Sequence, residues 1–562
     1  MNEHVAPTAI PSPPGKPVVG NMLTLDSERP LQSLMALTRE IGPIFELNMM
    51  GTPLVVVSGA SLVEELSDES RFDKAVRGAL RRIRALAGDG LFTSDTSEAN
   101  WSKAHNILLP TFAQRAMANY LPLMQDIAGQ LCTKWERLNA DDEIDVVHDM
   151  TALALDTIGI CGFGYRFNSF YRRDYHPFID ALTRTLETCM VQRGLPFEKV
   201  ILTKRLNQLK ADVAFMNKLV DDIIRERRRG GGEQAISDLL NFMLAGVDKQ
   251  TGESLSDENI RFQILTFLIA GHETTSGLLS FTLYFLVNNP DVLARAYEEV
   301  DRVLGTDLAA EPTIQQVNQL TYVQQILNEA LRLYPTAPAI GLYPYKDEVI
   351  GGKYRLKKGT FVTLLTLMLH RDPSVWGPEP EKFNPDNFSR EAEAKRPPNA
   401  FKPWGNGQRA CIGRQFAMQE ATLVLGMILQ RFQLFDHTNY QLRIKESLSI
   451  KPDGFTIKVR PRPGRTRSVL VPGQATAAPA AAQKASAAKR PHHGTKLTVL
   501  YGSNLGTTEE IARDIANSGE VNGFDVTLAE LDDYAGRLPT EGAVVVASAS
   551  YNGAPSVGSL PT

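Results

Sequence analysis

Ten residues, WGNGQRACIG from Trp404 to Gly413, place the sulfur of Cys411 in a glycine-rich loop just before an apolar helix. Glycines at 405, 407 and 413 let backbone pass close to a flat ligand, and Arg409 offers a fixed cation. Amide N–H groups at the helix start favour a thiolate at Cys411. These are the requirements of a metal-bound sulfur, although a buried structural cysteine on a tight turn fits the same pattern. A second set is the polar island His272-Glu273-Thr274-Thr275-Ser276, inside the apolar run from Phe262 to Val287. Burying a carboxylate and hydroxyls is costly unless they are paired, so such an island marks a functional cavity or a polar network. The third is Glu329 with Arg332, spaced i, i+3 in VQQILNEALRLYPTAP. Most such pairs are solvated, but the apolar residues around this one predict a buried structural pin.

These residues need a large scaffold, and the composition supplies one. The chain has 562 residues, 43% hydrophobic content and a net charge of −4, which suits an ordinary globular protein of about three or four domains without a basic footprint for nucleic acid. Four cysteines, Cys132, Cys161, Cys189 and Cys411, lie far apart. Neither a disulfide framework nor a structural zinc site is expected, and a reducing cytoplasm fits best. The N-terminus MNEHVAPTAIPSPPGKP lacks a cationic start and an apolar signal core. The run from Phe262 to Val287 is long enough for a bilayer, but its polar centre predicts the buried central helix of a soluble domain, not a membrane span.

The order AGHETT, ExxR and then the cysteine loop resembles the haem-thiolate monooxygenases, the cytochromes P-450, over roughly residues 15 to 460. Stretches such as GDGLFTS, NILLPTF, FNSFYRRD and EATLVLGM are similar to the self-sufficient fatty-acid hydroxylases, in which the haem domain is fused to an NADPH-dependent diflavin reductase. The resemblance implies a mainly α fold with small β-sheets and a haem b whose axial thiolate is Cys411. It also implies that Ala270 and Gly271 leave room for oxygen beside the haem. Thr274 would offer a hydroxyl to that oxygen, and Glu273 would feed protons. Lys74, Trp101, His105 and Arg409 would meet the propionates. An apolar pocket would draw on Phe92, Leu80, Ile83, Ala87, Ile269, Ala337 and Ala339.

Three departures bear on function. Fatty-acid hydroxylases of this type resemble one another in an early-strand Arg and Tyr that hold the carboxylate, where GTPLVVVSG has Thr52 and Val56. Discrimination for free acids is expected to weaken, unless Arg77, Arg81, Arg82 or Arg84 substitutes. Trp404 stands where the family usually has Phe, and its larger ring and N–H are expected to shift the iron potential. Asn387 in FNPDNF stands where an Arg commonly completes the network of Glu329 and Arg332. The His370-Arg371-Asp372 triplet copies a kinase signature, but no other kinase motif accompanies it in order, and its expected role is structural.

Beyond Pro461 the composition changes. The haem domain is expected to span residues 1–461, an Ala/Pro-rich flexible linker 462–495 and an incomplete flavodoxin-like domain 496–562. KLTVLYGSNLGTTEEIA reads as strand, phosphate loop and helix, the start of an α/β fold. It resembles an FMN domain with Ser503, Asn504, Leu505, Gly506 and Thr507 at the phosphate and Tyr551 stacked on the flavin. The sequence stops at Thr562 and is expected to be a truncated product, whose two or three strands are too few for stable FMN binding. FAD and NADPH would belong to the full-length fusion. The expected partners are a lipid-like substrate, O2 and the reductase domain, with no nucleic acid. The alternatives are a hydrogen-peroxide-driven peroxygenase and, outside enzymes, a haem-based gas sensor or ligand carrier.

Overall fold

The computed structural model describes residues 8–172, 174–192, 197–229, 238–465, 492–502, 507–548, 550–551 and 554–555. Two compact units result, one of residues 1–107 with 122–465 and one of 108–121 with 466–562.

The first unit is mainly helical, as expected, and is organised around one helix, Asp257–Asn288. Ser256 caps it by accepting the Asn259 N–H at 3.2 Å, and Asp257 and Glu258 face the positive end of its dipole. Buried residues lie on every side of this helix, so apolar content rather than amphipathic patterning holds it inside. It packs most extensively on helix Val146–Phe163. Among the described residues that second helix is the only one long and apolar enough to cross a membrane, and 89% of it is buried in the fold. The two helices approach closely at Gly271, where a Cβ would lie 3.1 Å from Ile158 Cγ1.

A five-stranded sheet runs in the order Ile44–Met49, Thr52–Val57, Phe361–Leu365, Ala339–Pro344 and Phe72–Lys74. Its pairings are antiparallel except the parallel one between Thr52–Val57 and Phe361–Leu365. Val55, Val57, Val362 and Leu364 from its central strands form a core with Leu62, Val63 and Leu369. This sheet brings Lys74 opposite Leu342, joining an early strand to one that follows the ExxR helix.

That helix, Thr321–Leu333, carries the predicted pin. Glu329 and Arg332 are both wholly buried. Arg332 grips both Glu329 oxygens at 2.7 Å and donates to the carbonyls of His370, Pro380 and Lys382. Asn387 donates to both Glu329 oxygens at 3.2 and 3.3 Å. The charge that Asn387 lacks is provided by Arg396, which donates to the Asn387 carbonyl, lies 4.4 Å from the Phe388 ring and acts electrostatically on Glu329. The His370-Arg371-Asp372 triplet is structural: His370 Nδ1 donates to the Arg332 carbonyl and Asp372 accepts the Ala60 N–H.

In the second unit, strand Lys496–Gly502 lies between Asp525–Glu530 and Ala543–Ser548, all parallel. Helix Thr507–Val521 follows the first strand, and Leu497, Val499, Ala512 and Ala516 form the core between helix and sheet. This three-stranded α/β arrangement matches the expected start of a flavodoxin-like domain.

Removing Arg332 leaves Glu329 as an uncompensated buried charge. Arg332→Met is expected to destabilise the first unit by about 3–5 kcal/mol, read by denaturant unfolding. A loss below about 1 kcal/mol would assign the pair to the class of exposed salt bridges.

Candidate active site

The cysteine loop is built by local turns and fixed from outside. Gly405 and Gly407 both adopt positive φ, 83° and 57°, conformations that favour glycine. A Cβ on Gly407 would fall 1.8 Å from the Glu69 carboxylate, which accepts the Gln408 N–H at 2.7 Å. The Cys411 N–H donates to the Trp404 carbonyl at 2.7 Å. Helix Arg414–Arg431 begins just beyond Gly413, at the predicted place. Cys411 keeps open surface. Burial raises its thiol pKa, opposed by the Gly413 N–H, Arg414 and Lys74. Among the described residues, the buried Trp404 Nε1 has no hydrogen-bond partner.

Next to this loop the structure gathers the four predicted anion-binding residues. Arg409 donates to Leu91 O, Ser94 O and Thr96 Oγ1 and stands 4.7 Å over the Trp101 ring. Trp101 and His105 stack at 5.1 Å, as their i, i+4 spacing on helix Ala99–Leu108 requires. Lys74 donates to the Phe92 carbonyl at 2.8 Å and lies 4.7 Å over its ring. Burial, aided by Arg409, lowers the Lys74 pKa to about 7, and burial lowers that of Arg409 to about 10. The same two causes lower the His105 pKa. Among the described residues neither Lys74 nor Arg409 forms an ion pair, and Asp73 and Asp95 act on both side chains only through their charge.

On the central helix, Ala270, Gly271, Glu273 and Thr274 keep partial exposure between buried neighbours. The Thr274 hydroxyl donates to the Ala270 carbonyl at 2.7 Å. Glu273 accepts from Ser449 Oγ at 2.8 Å and Lys451 Nζ at 3.2 Å, with His272 Nε2 at 3.3 Å. Burial opposes ionisation of Glu273, but Lys451, His272 and Ser449 outweigh it and hold the carboxyl far below the usual range. A Cβ on Gly271 would meet Ile158, so this glycine serves the approach of two helices.

Of the apolar candidates, Leu80, Phe92 and Ala339 are half-buried and Ala337 is exposed between buried neighbours. Ile83, Ala87 and Ile269 are fully packed and present no open surface. Thr52 is exposed and Val56 buried. Arg84 grips both Glu98 oxygens at 2.7 Å, Arg81 pairs with Asp95 and Arg82 donates to the Cys189 carbonyl, whereas Arg77 lies 6.0 Å from the Phe361 ring. In the second unit, Ser503, Asn504, Leu505 and Gly506 lie outside the described residues. Thr507 opens the helix Thr507–Val521, and Tyr551 lies on the short strand Ser550–Tyr551.

Several supports were not singled out from sequence. His370 Nε2 accepts the Lys402 N–H at 2.9 Å, and Lys402 Nζ donates to Asn406, tying the ExxR helix to the cysteine loop. Ser449 and Lys451 were missed because they lie 176 and 178 residues from Glu273. No local spacing signals a partner that distant.

Comparison with known proteins agrees with this geometry. A family model described as cytochrome P450 matches residues 10–459, and one described as flavodoxin matches residues 499–559. The chain is 52% identical over 549 residues to bifunctional cytochrome P450/NADPH–P450 reductase 2 of Bacillus subtilis (strain 168), covering 98% of this chain and 51% of that protein. It is 51% identical over 563 residues to a bifunctional cytochrome P450/NADPH–P450 reductase of Bacillus cereus, covering 98% and 52%. It is also 42% identical over 559 residues to a self-sufficient cytochrome P450 monooxygenase of Phanerodontia chrysosporium, covering 98% and 52%. The chain thus spans about half the length of the curated relatives it matches.

The basic cluster gives a direct expectation. In protein purified without a bound ligand, the Lys74 amine loses its proton near pH 7, and an anion seated beside Arg409 raises that midpoint. Nitrogen NMR of lysine-labelled protein reads the titration, with Lys74→Met as the blank; a midpoint in the ordinary lysine range of about 10.4 overturns it.

Proposed function

The chain belongs to the cytochrome P450 family, and from that premise we propose a haem-thiolate monooxygenase that inserts one oxygen atom of O2 into an unactivated C–H bond of a long-chain fatty acid or related lipid-like molecule. The observation that carries this reading is the exposed Cys411 at a helix start, beside two half-buried cations that make no ion pair among the described residues. A dianionic, flat group with a thiolate-seeking metal fits both halves of that site. Cys411 would be the axial ligand, and Lys74, Arg409, His105 and Trp101 would hold the two propionates. Bound there, haem supplies the metal at which dioxygen is reduced.

The chain's own residues supply the rest. Ala270 would leave the central helix thin where oxygen must fit, and the Thr274 hydroxyl, which donates to the Ala270 carbonyl, would turn from it to orient the oxygen. Glu273, one residue earlier, is the nearest carboxyl for proton delivery. Leu80, Phe92, Ala337 and Ala339 offer apolar surface to the substrate, while Ile83, Ala87 and Ile269 support that wall from behind. We assign residues 1–461 to the haem domain, 462–495 to a linker and 496–562 to the start of an FMN domain. Electrons would arrive from NADPH through FAD and FMN in the full-length fusion. Among the described residues none of the four cysteines is in a disulfide, which supports a reducing, cytoplasmic setting.

Thiolate ligation predicts a red-shifted Soret band in the difference spectrum of the reduced carbon monoxide complex; a band at the position typical of histidine-ligated haem sinks the assignment. Trp404→Phe is expected to change the haem reduction potential, because it removes an N–H donor and ring volume next to the ligand loop. Equal potentials in spectroelectrochemical titration remove that role.

A further inference from the structure

The acid that should deliver protons is held in the wrong state to do so. Both Glu273 oxygens are occupied, Oε1 by Lys451 and His272 and Oε2 by Ser449. The neighbouring Thr274 hydroxyl turns to the Ala270 carbonyl. Two of these three partners come from one hairpin, strands Ile444–Glu446 and Ile450–Pro452, far from the central helix in sequence. The hairpin is seated firmly. Gly277 admits it, since a Cβ there would come within 2.9 Å of the Ile450 carbonyl and 2.8 Å of Thr336 Cγ2. The Ile450 N–H donates to the Thr336 carbonyl at 3.2 Å, beside the exposed Ala337. At its other edge Glu446 accepts the N–H groups of Leu31 and Gln32 at the start of helix Pro30–Ile41.

A buried ion pair of this kind is poor value for stability alone, because apolar residues of similar volume hold two elements together as well or better. Its chemical consequence is specific. A carboxyl gripped by an ammonium group and a hydroxyl stays ionised and has no proton to give.

We propose that Lys451, assisted by Ser449, is a positioning residue that latches Glu273 as a carboxylate away from Thr274, so that proton delivery to bound oxygen requires the latch to open. This inference deepens the monooxygenase reading and rests on it. The overall balance is RH + O2 + 2 H+ + 2 e− giving ROH + H2O, with electrons from a flavin reductase and protons from solvent. An open latch lets Glu273 take up a solvent proton and pass it toward the oxygen at Thr274, and it returns to carboxylate for the second proton. A closed latch withholds both. The hairpin's bond to Thr336 places the latch next to the substrate wall, where filling the pocket can bear on it. Groups facing Glu273 are His272 from its own helix and Lys451 and Ser449 from the hairpin. Lys451 also donates to Thr151 of helix Val146–Phe163 at 3.4 Å, and Tyr175 bonds Thr151 and senses Glu273 through its charge.

The test compares native protein with Lys451→Met and Lys451→Arg in the haem-loaded full chain. Infrared titration with Glu273→Gln as the blank reads the carboxyl directly. The native midpoint should lie below the ordinary Glu value of about 4.3. It should rise above that value in Lys451→Met and be restored in Lys451→Arg. With dodecanoic acid as probe and an added reductase, Lys451→Met should release several-fold more hydrogen peroxide per NADPH, and its pH profile should move with the Glu273 midpoint. Hydroxylation driven by added peroxide should stay within about twofold of native. An unchanged Glu273 midpoint in Lys451→Met, or equal losses in the dioxygen-driven and peroxide-driven reactions, overturns the latch. Failure of thiolate ligation appears separately in the carbon monoxide spectrum and leaves the infrared titration unaffected.

Discussion

The Arg332 guanidinium is the constraint on which the site depends. It makes five hydrogen bonds inside the protein, two to Glu329 and three to the carbonyls of His370, Pro380 and Lys382. Those carbonyls belong to a segment without long helices, where backbone has few regular partners and each unmet carbonyl would be costly. One buried cation therefore organises a stretch that secondary structure cannot. The constraint then passes to the ligand loop through His370, whose burial lowers its pKa to about 3 and keeps it neutral, donating on one side to Arg332 O and accepting on the other from Lys402 N–H. Lys402 and Asn406 continue the chain to the Ser67 carbonyl. Cys411 is placed by this network as much as by its own turn.

Charge is distributed unevenly around the space that this network frames. On one side Lys74 and Arg409 make no ion pair among the described residues, and desolvation depresses both pKa values despite the fields of Asp73 and Asp95. On the other, both Glu273 oxygens have donors, Lys451 and Ser449. The first arrangement leaves two cations without a contacting acid and so favours binding of an anion. The second favours the ionised form of Glu273. Both follow from burial: in a low-dielectric interior an unmatched charge attracts its complement strongly, and a matched one resists change.

Residues whose role depends on local spacing were readable in the sequence. The cysteine loop, the i, i+4 stack of Trp101 on His105, the i, i+3 pin and the parallel strand–helix–strand start of the second unit all appear where the pattern places them. Residues whose role depends on which neighbour arrives were not. Ile83, Ala87 and Ile269 read as pocket lining but are fully packed, because apolar character does not distinguish a cavity wall from a helix contact. Gly271 read as room for oxygen, yet its bare face meets Ile158. Asn387 read as a lost charge, and Arg396 restores it from nine residues away by stacking on Phe388.

Recognition of the substrate end follows from the same accounting. The early strand offers Thr52 and Val56 and no cation, and Arg81, Arg82 and Arg84 are committed to Asp95, the Cys189 carbonyl and Glu98. Arg77 remains, exposed and beside Phe361. An exposed ion pair contributes about 0–1 kcal/mol, whereas each methylene moved from water into an apolar wall contributes about 0.8 kcal/mol. Two methylenes therefore outweigh the head group. Under the proposed function, an apolar wall with one solvated arginine would select by the length of the apolar chain first and by its carboxylate second.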